Sequence, residues 1–218
     1  MARLGMARLG LARLGMAWKQ NKTGEKSMET LEFRIIGEAA LLMNNCRDAM
    51  NLFSPATIRR KELEKKRNRT DSEEDELSKI KYMQALYFTK ESGVFIPSTN
   101  IEACIQNGAT ETRKGKDIPR GLFVVDDYNS LIYDGPKDPE KLWETSEFVD
   151  IRPACVSKSN KNKIMKYRPI FHEWELKFTV NIDTEILNPK DIIKYLEIAG
   201  KKHGLCDYRP RFGRFEVA

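Results

Sequence analysis

Arg209, Arg211 and Arg214 crowd into HGLCDYRPRFGRFEVA, residues 203–218, beside Gly204 and Gly213. A guanidinium is a permanent planar cation that matches phosphate, and glycine lets a backbone amide approach one closely. A second concentration of positive charge lies upstream: Lys158, Lys161, Lys163, Lys166 and Arg168 occur in KSNKNKIMKYR without an acid. Asn44, Asn45 and Arg47, after the first expected strand, add donors that suit a sugar or a phosphate. Plainer alternatives stand beside each of these. Gly204 can cap a helix and Gly213 can form a bulge, while the arginines can pair with surface carboxylates and the lysines can decorate a solvated hairpin tip.

The surrounding composition limits the chemistry. The formal net charge is +6, but residues 1–27 hold six basic residues against Glu25 alone, so five of those charges lie there and one remains for the other 191 residues. A basic patch on the body must therefore come from clustering. Cys46, Cys104, Cys155 and Cys206 lie far apart with no CxxC pair and only two histidines for company. No metal and no cofactor is expected, and reduced thiols suit a cytoplasmic protein. No uncharged apolar run approaches the roughly 18 residues of a bilayer span, so no membrane partner is expected. The first residues repeat in fives, MARLGMARLGLARLG, and five steps of about 100° spread leucines and arginines around a helix axis. Residues 1–27 read as a disordered basic tail, and Met28 as the start of a folded domain over 28–218.

The elements that must position the basic residues follow from periodicity. TLEFRII alternates as a half-buried strand with Leu31, Phe33 and Ile35 on one face. Residues 55–88 set RRKELEKKRNR against DSEEDE and read as a solvated helical hairpin or a flexible insertion. VFIPSTNIEACIQNGA predicts a strand feeding a helix, with Thr99 and Glu102 as a capping box. RGLFVVDD and SLIYDGP predict two strands joined by a turn near Tyr128 and Asn129. RPACVSKSNKNKIMKYRPIF predicts a long hairpin with KSNKNK at its tip. IFHEWELKFTVNID predicts one continuous strand whose apolar face includes His172. Asn188 caps a helix starting at Pro189, with Ile192, Tyr195, Leu196 and Ala199 as its buried stripe and Gly204 at its end. GRFEVA closes the chain as a strand.

This order predicts an α+β fold: a ferredoxin-like (RRM-like) β-α-β-β-α-β core with helical and β-hairpin insertions at about 45–90 and 110–168. RNA-recognition motifs stack bases on aromatic residues of the open sheet face. Here the expected outward residues are Glu32, Arg34, Glu173, Glu175, Lys177, Arg214 and Glu216, so loops and edges are expected to hold any nucleic acid.

Taken together, these features resemble small phage or prophage proteins akin to the RAMP superfamily, closest to the backbone subunits of CRISPR effector complexes. The resemblance runs over residues 28–218. It rests on LLMNN, IPSTNIEACI, RPIFHEWELKFTV and above all GLCDYRPRFGRFEV, with Gly204, Tyr208, Arg209, Pro210, Arg211, Phe212, Gly213 and Arg214. It implies metal-independent, sequence-independent binding of single-stranded RNA or DNA along its backbone, and head-to-tail assembly into a homo-oligomer or filament. The basic hairpin would be the family's protruding thumb. It implies a second possibility, RNA cleavage by a histidine that activates a 2′-hydroxyl; His203 is the better placed, with Asp48 the alternative for a metal-assisted cut. No triad or carboxylate cluster accompanies them, so no enzyme activity is expected. A third role is protein interaction, in which a host or phage effector protein is the partner and the chain imitates an effector subunit; mixed-sign surfaces and the acidic 126–150 stretch suit it.

Overall fold

A computed structural model describes residues 28–155 and 163–218, leaving aside the side chain of Cys155. The N-terminal tail, Lys158 and Lys161 lie outside these residues. In chain order the elements are β1 (Met28–Gly37), β2 (Leu41–Leu42), α1 (Arg47–Met50), α2 (Pro55–Lys65), α3 (Asp71–Ala85), β3 (Phe88–Thr89), β4 (Gly93–Pro97) and α4 (Ser98–Thr110). Then come α5 (Ile118–Gly121), β5 (Leu122–Val124), β6 (Tyr128–Ile132), α6 (Pro139–Glu144), a 3₁₀ turn (Ser146–Phe148), β7 (Val149–Cys155), β8 (Lys163–Phe171), β9 (Glu175–Asp183), α7 (Pro189–Lys202) and β10 (Phe215–Val217). The fold is mixed α+β with antiparallel sheets.

The alternation of β1 matches that of β9, and the two pair antiparallel from Met28↔Asp183 to Ile36↔Glu175. Phe33 and Ile35 therefore share a buried face with Leu176, Phe178, Val180 and Ile182. The sheet runs β10-β1-β9-β6-β4-β3, with β5 also on β9. Helices α4 and α7 pack together and join the same core through Ile101, Cys104 and Ile105 and through Ile192, Tyr195, Leu196 and Ala199. The start of α7 follows its sequence: Asn188 Oδ1 accepts from Lys190 N at 3.0 Å, and Pro189 opens the helix where its missing N–H is harmless.

A second sheet, β2-β8-β7, lies under α3. Helices α2 and α3 form the charged hairpin expected from 55–88. Arg59 bonds Glu76 at 2.7 and 2.8 Å, Arg69 bonds Glu74 at 2.6 Å, and Lys66 pairs with Glu73. The opposed charge blocks thus satisfy each other across the hairpin.

Three expectations change. The run 170–182 is not one strand. It breaks at residues 172–174, where the chain passes from the second sheet into the first. Trp174 holds the corner, its Nε1 donating to Ala39 O at 2.9 Å and its carbonyl accepting from Gly37 N at 2.9 Å, and His172 is left exposed. Residues 122–132 do not fold back as a hairpin. β5 and β6 lie in line along β9, and between Val124↔Val180 and Leu131↔Leu176 their chain advances seven residues while β9 advances four. The surplus bulges at Val125–Asp127, in place of a turn at Tyr128 and Asn129, and is pinned by Val125 N to Thr179 O at 2.9 Å. The capping box at Thr99 and Glu102 is absent, because β4 runs directly into α4 and Glu102 Oε1 accepts from Val124 N at 2.9 Å instead. A capping box does occur at Thr70 and Glu73. Among the described residues no helix is long and apolar enough to cross a membrane.

Leu176→Ala, at a fully buried position paired with Ile35 on one side and Leu131 on the other, is expected to cost about 2–5 kcal/mol in urea unfolding. Hydrogen bonds from Lys66 and Arg59 hold Glu73 and Glu76 below the usual carboxylate range. Their contribution is present above the unfolded carboxylate pKa and is lost as pH falls through the lower folded values. Amide exchange across residues 55–85 should therefore accelerate on acidification, once the intrinsic pH dependence is corrected, more than exchange in β9.

Candidate nucleic-acid interface

The loop between α7 and β10 is built on its own backbone. Gly204, at φ +74°, ends α7, and a side chain there would meet Phe212 O at 2.6 Å; Gly213, at φ +72°, would meet Leu205 O. Both glycines thus let the two ends of the loop touch, and Leu205 N donates to Gly213 O at 2.8 Å. Their amides are also occupied: Gly204 N donates to Ala199 O and Gly213 N to Ala40 O, each at 2.8 Å. The glycines shape the loop; the amides anticipated for phosphate close it.

The segment 38–43 is threaded between this loop and β8. On one side Glu38 N donates to Arg214 O and Asp207 N to Leu42 O, both at 2.9 Å. On the other, Leu41 and Leu42 pair with Phe171 and Ile170. Arg168 reinforces the join. Expected to be a phosphate ligand, it is 2% exposed and spent on carboxylates, with Nη1 donating to Asp207 Oδ2 at 2.8 Å and Nη2 to Asp150 Oδ2 at 3.1 Å. Arg168 is therefore a positioning residue that ties the loop to the β7–β8 ribbon.

Other anticipated residues meet around this junction. Asn45 is spent locally, donating from Nδ2 to Leu86 O at 3.2 Å and accepting from Arg47 N at 3.0 Å. Asn44 is half-buried and Arg47 is exposed on the same turn. Burial above all, with Cys206, Cys46 and Asp207 adding to it, raises the Tyr87 phenol above its ordinary range, against a hydrogen bond from Asn100 at 3.4 Å. That phenol thus lies where the Asn44–Arg47 turn, the start of α4 and the arginine loop converge. Arg209, Arg211 and Arg214 are exposed, and their guanidiniums have no hydrogen bond or ion pair among the described residues. On the ribbon, Arg152↔Lys166 and Asp150↔Arg168 share one face, whereas Lys163, three residues from Lys166, is on the other.

Arg152 is the residue the sequence reading missed. Its Nε donates to Asp150 Oδ1 at 2.7 Å, and its guanidinium lies 4.7 Å from the Phe212 ring and 5.6 Å from that of Tyr208. The signal was available, since folding the hairpin about its tip sets Arg152 opposite Lys166.

The sheet's free face is polar and self-paired, with Arg34 to Glu175 at 2.6 Å and Thr30 to Asn181 at 2.7 Å. On β5 and β6 it nonetheless exposes Phe123, Tyr128 and Ile132, apolar groups absent from the expected set. His203 Nε2 is 3.3 Å from Glu111 Oε1, and Lys202 bonds the other oxygen at 3.1 Å. Asp48 accepts from Gln84 Nε2 at 3.2 Å beside Thr57. Among the described residues no group of His, Cys, Asp and Glu is arranged to hold a metal ion.

No protein-family model and no curated protein matches the chain.

Replacing Arg168 with Leu takes from Asp207 its ion-pair partner and from Asp150 one of two, and is expected to cost about 3 kcal/mol in urea unfolding, with faster tryptic cleavage at Arg211 and Arg214. Burial pushes the Cys104 and Cys206 thiols up to about 12, while Cys46 is exposed. Iodoacetamide at pH 8 should therefore alkylate Cys46 well before Cys104 or Cys206, as read by peptide mass mapping.

Proposed function

We propose that the chain is a RAMP-like protein that binds single-stranded nucleic acid, RNA in the first instance, with little base preference, and that copies self-associate along the strand. The observation that carries this reading is the set of partner-free guanidiniums, Arg209, Arg211 and Arg214, on a loop braced against a ribbon with Arg152 and Lys166 on one face. A phosphate chain gains most from cations that no carboxylate already neutralises. Asn44 and Arg47 extend the same donor surface.

The strand order β10-β1-β9 followed by β5 and β6, with α4 and α7 packed together in the core, supports a ferredoxin-like description of the central sheet. A body close to neutral outside the first 27 residues suits binding by a local patch rather than by general attraction. A second reading, with a protein as partner, is favoured by Met50, Leu52 and Phe53, of which Phe53 is 90% exposed.

Fluorescence anisotropy with a labelled 20-nucleotide oligouridine tests the first reading. Arg209→Ala with Arg211→Ala should weaken binding and flatten the plot of log affinity against log salt by about 1.4, since each phosphate contact on a single strand contributes roughly 0.7. Unchanged binding in the double variant removes the loop from the interface. Absorbance and particle size of the purified chain separate the two readings: a long oligomer carrying RNA supports the first, and a nucleic-acid-free complex with another protein supports the second.

A further inference from the structure

The five arginines around the loop fall into two electrostatic classes. Arg152 and Arg168 are matched by Asp150 and Asp207, two cations against two carboxylates. Arg209, Arg211 and Arg214 have no such partner among the described residues. Tyr208 lies at the boundary. Its ring is 5.6 Å from each of the two compensated guanidiniums and meets the Phe212 ring edge-on at 5.8 Å, while the next residue in the chain is a free arginine. A phosphate gains little beside a compensated cluster, but an apolar flat group gains there.

Tyr208 is also held in place. Its backbone is left-handed, at φ +55°, as is that of Cys206 at +63°. A bulky residue occupies that region only where its surroundings over-determine it. Here Asp207 is fixed through its amide to Leu42 O and its carboxylate to Arg168, and Tyr208 O accepts from Phe212 N at 3.3 Å. Despite the Phe212 contact, Tyr208 remains 48% exposed. A fixed, half-exposed aromatic ring next to free phosphate ligands has the make-up of a stacking surface, since every base offers a π face whatever its identity.

We propose that Tyr208 stacks on an unpaired nucleobase while Arg209, Arg211 and Arg214 take the neighbouring phosphates. The ligand of this site is then a strand with accessible base faces, not a phosphate chain alone and not a duplex. This rests on the nucleic-acid reading above and deepens it: the loop would discriminate single strands from duplexes without reading sequence.

The test uses the full chain with three probes of equal length: oligouridine, the same backbone with abasic residues, and an RNA duplex. The wild-type chain should bind oligouridine on the order of 10-fold more tightly than the abasic strand or the duplex. Tyr208→Asn, which removes the ring but tolerates the left-handed backbone, should lower oligouridine affinity to the abasic level and leave abasic binding unchanged, which also reports an intact fold. Tyr208→Trp should keep the preference, with indole fluorescence quenched on oligouridine binding. The proposal is overturned, with the nucleic-acid reading left standing, if the wild-type chain binds all three probes equally or if Tyr208→Asn weakens oligouridine and abasic strands by the same factor. If the wild-type chain binds none of them, both fall together.

Discussion

Arg168 bonds two carboxylates from different parts of the chain, Asp150 on the strand beside it and Asp207 in a loop 39 residues away. Removing a guanidinium from water costs several kcal/mol, and only well-placed counter-charges offset it. That requirement fixes β7, β8 and the α7–β10 loop in one arrangement, because moving any of them strands a buried charge. Everything proposed for the surface depends on this join, since it determines which arginines are consumed and which remain free.

The join needs a chain that passes between the two sheets, and Trp174 supplies the corner. Its side chain and its carbonyl fasten the start of β9 to the 37–39 segment, which continues into the strip threaded between loop and ribbon. β9 then carries the main sheet on both edges, with β1 on one side and β5 and β6 in line on the other. The large apolar core and the polar loop are therefore two ends of one framework, joined by backbone hydrogen bonds and by Leu205 and Phe215, which pack into the core from the two ends of the loop.

Charge is arranged locally within this frame. The body is close to neutral, and its ion pairs gather on the α2–α3 hairpin, where Arg59, Lys66 and Arg69 meet glutamates. Exposed pairs of that kind contribute little to stability but do remove cations from the pool available to a ligand. What is left beside the loop is a short cationic edge next to an aromatic pair, a composition that suits a flexible strand better than a broad anionic surface.

Elements whose signals are local could be read from the order of residues alone. Alternation in β1, the Asn188–Pro189 start of α7 with its stripe at Ile192, Tyr195, Leu196 and Ala199, and the basic hairpin were all legible, because side-chain periodicity and capping act within a few residues. The break at His172–Trp174 was not, since the alternation of apolar residues hardly changes across a corner between two sheets. Nor was the alignment of β5 with β6, which β9 imposes from 43 to 60 residues away. The arginine loop was conspicuous in the sequence, yet which of its cations are already paired emerged only from the packing of distant strands. Arg168 looked like a surface cation and is buried between Asp150 and Asp207, while Arg152 drew no attention and sits over Phe212. A charge is free or spent according to what lies opposite it in space, and strands far apart in the chain supply that neighbour.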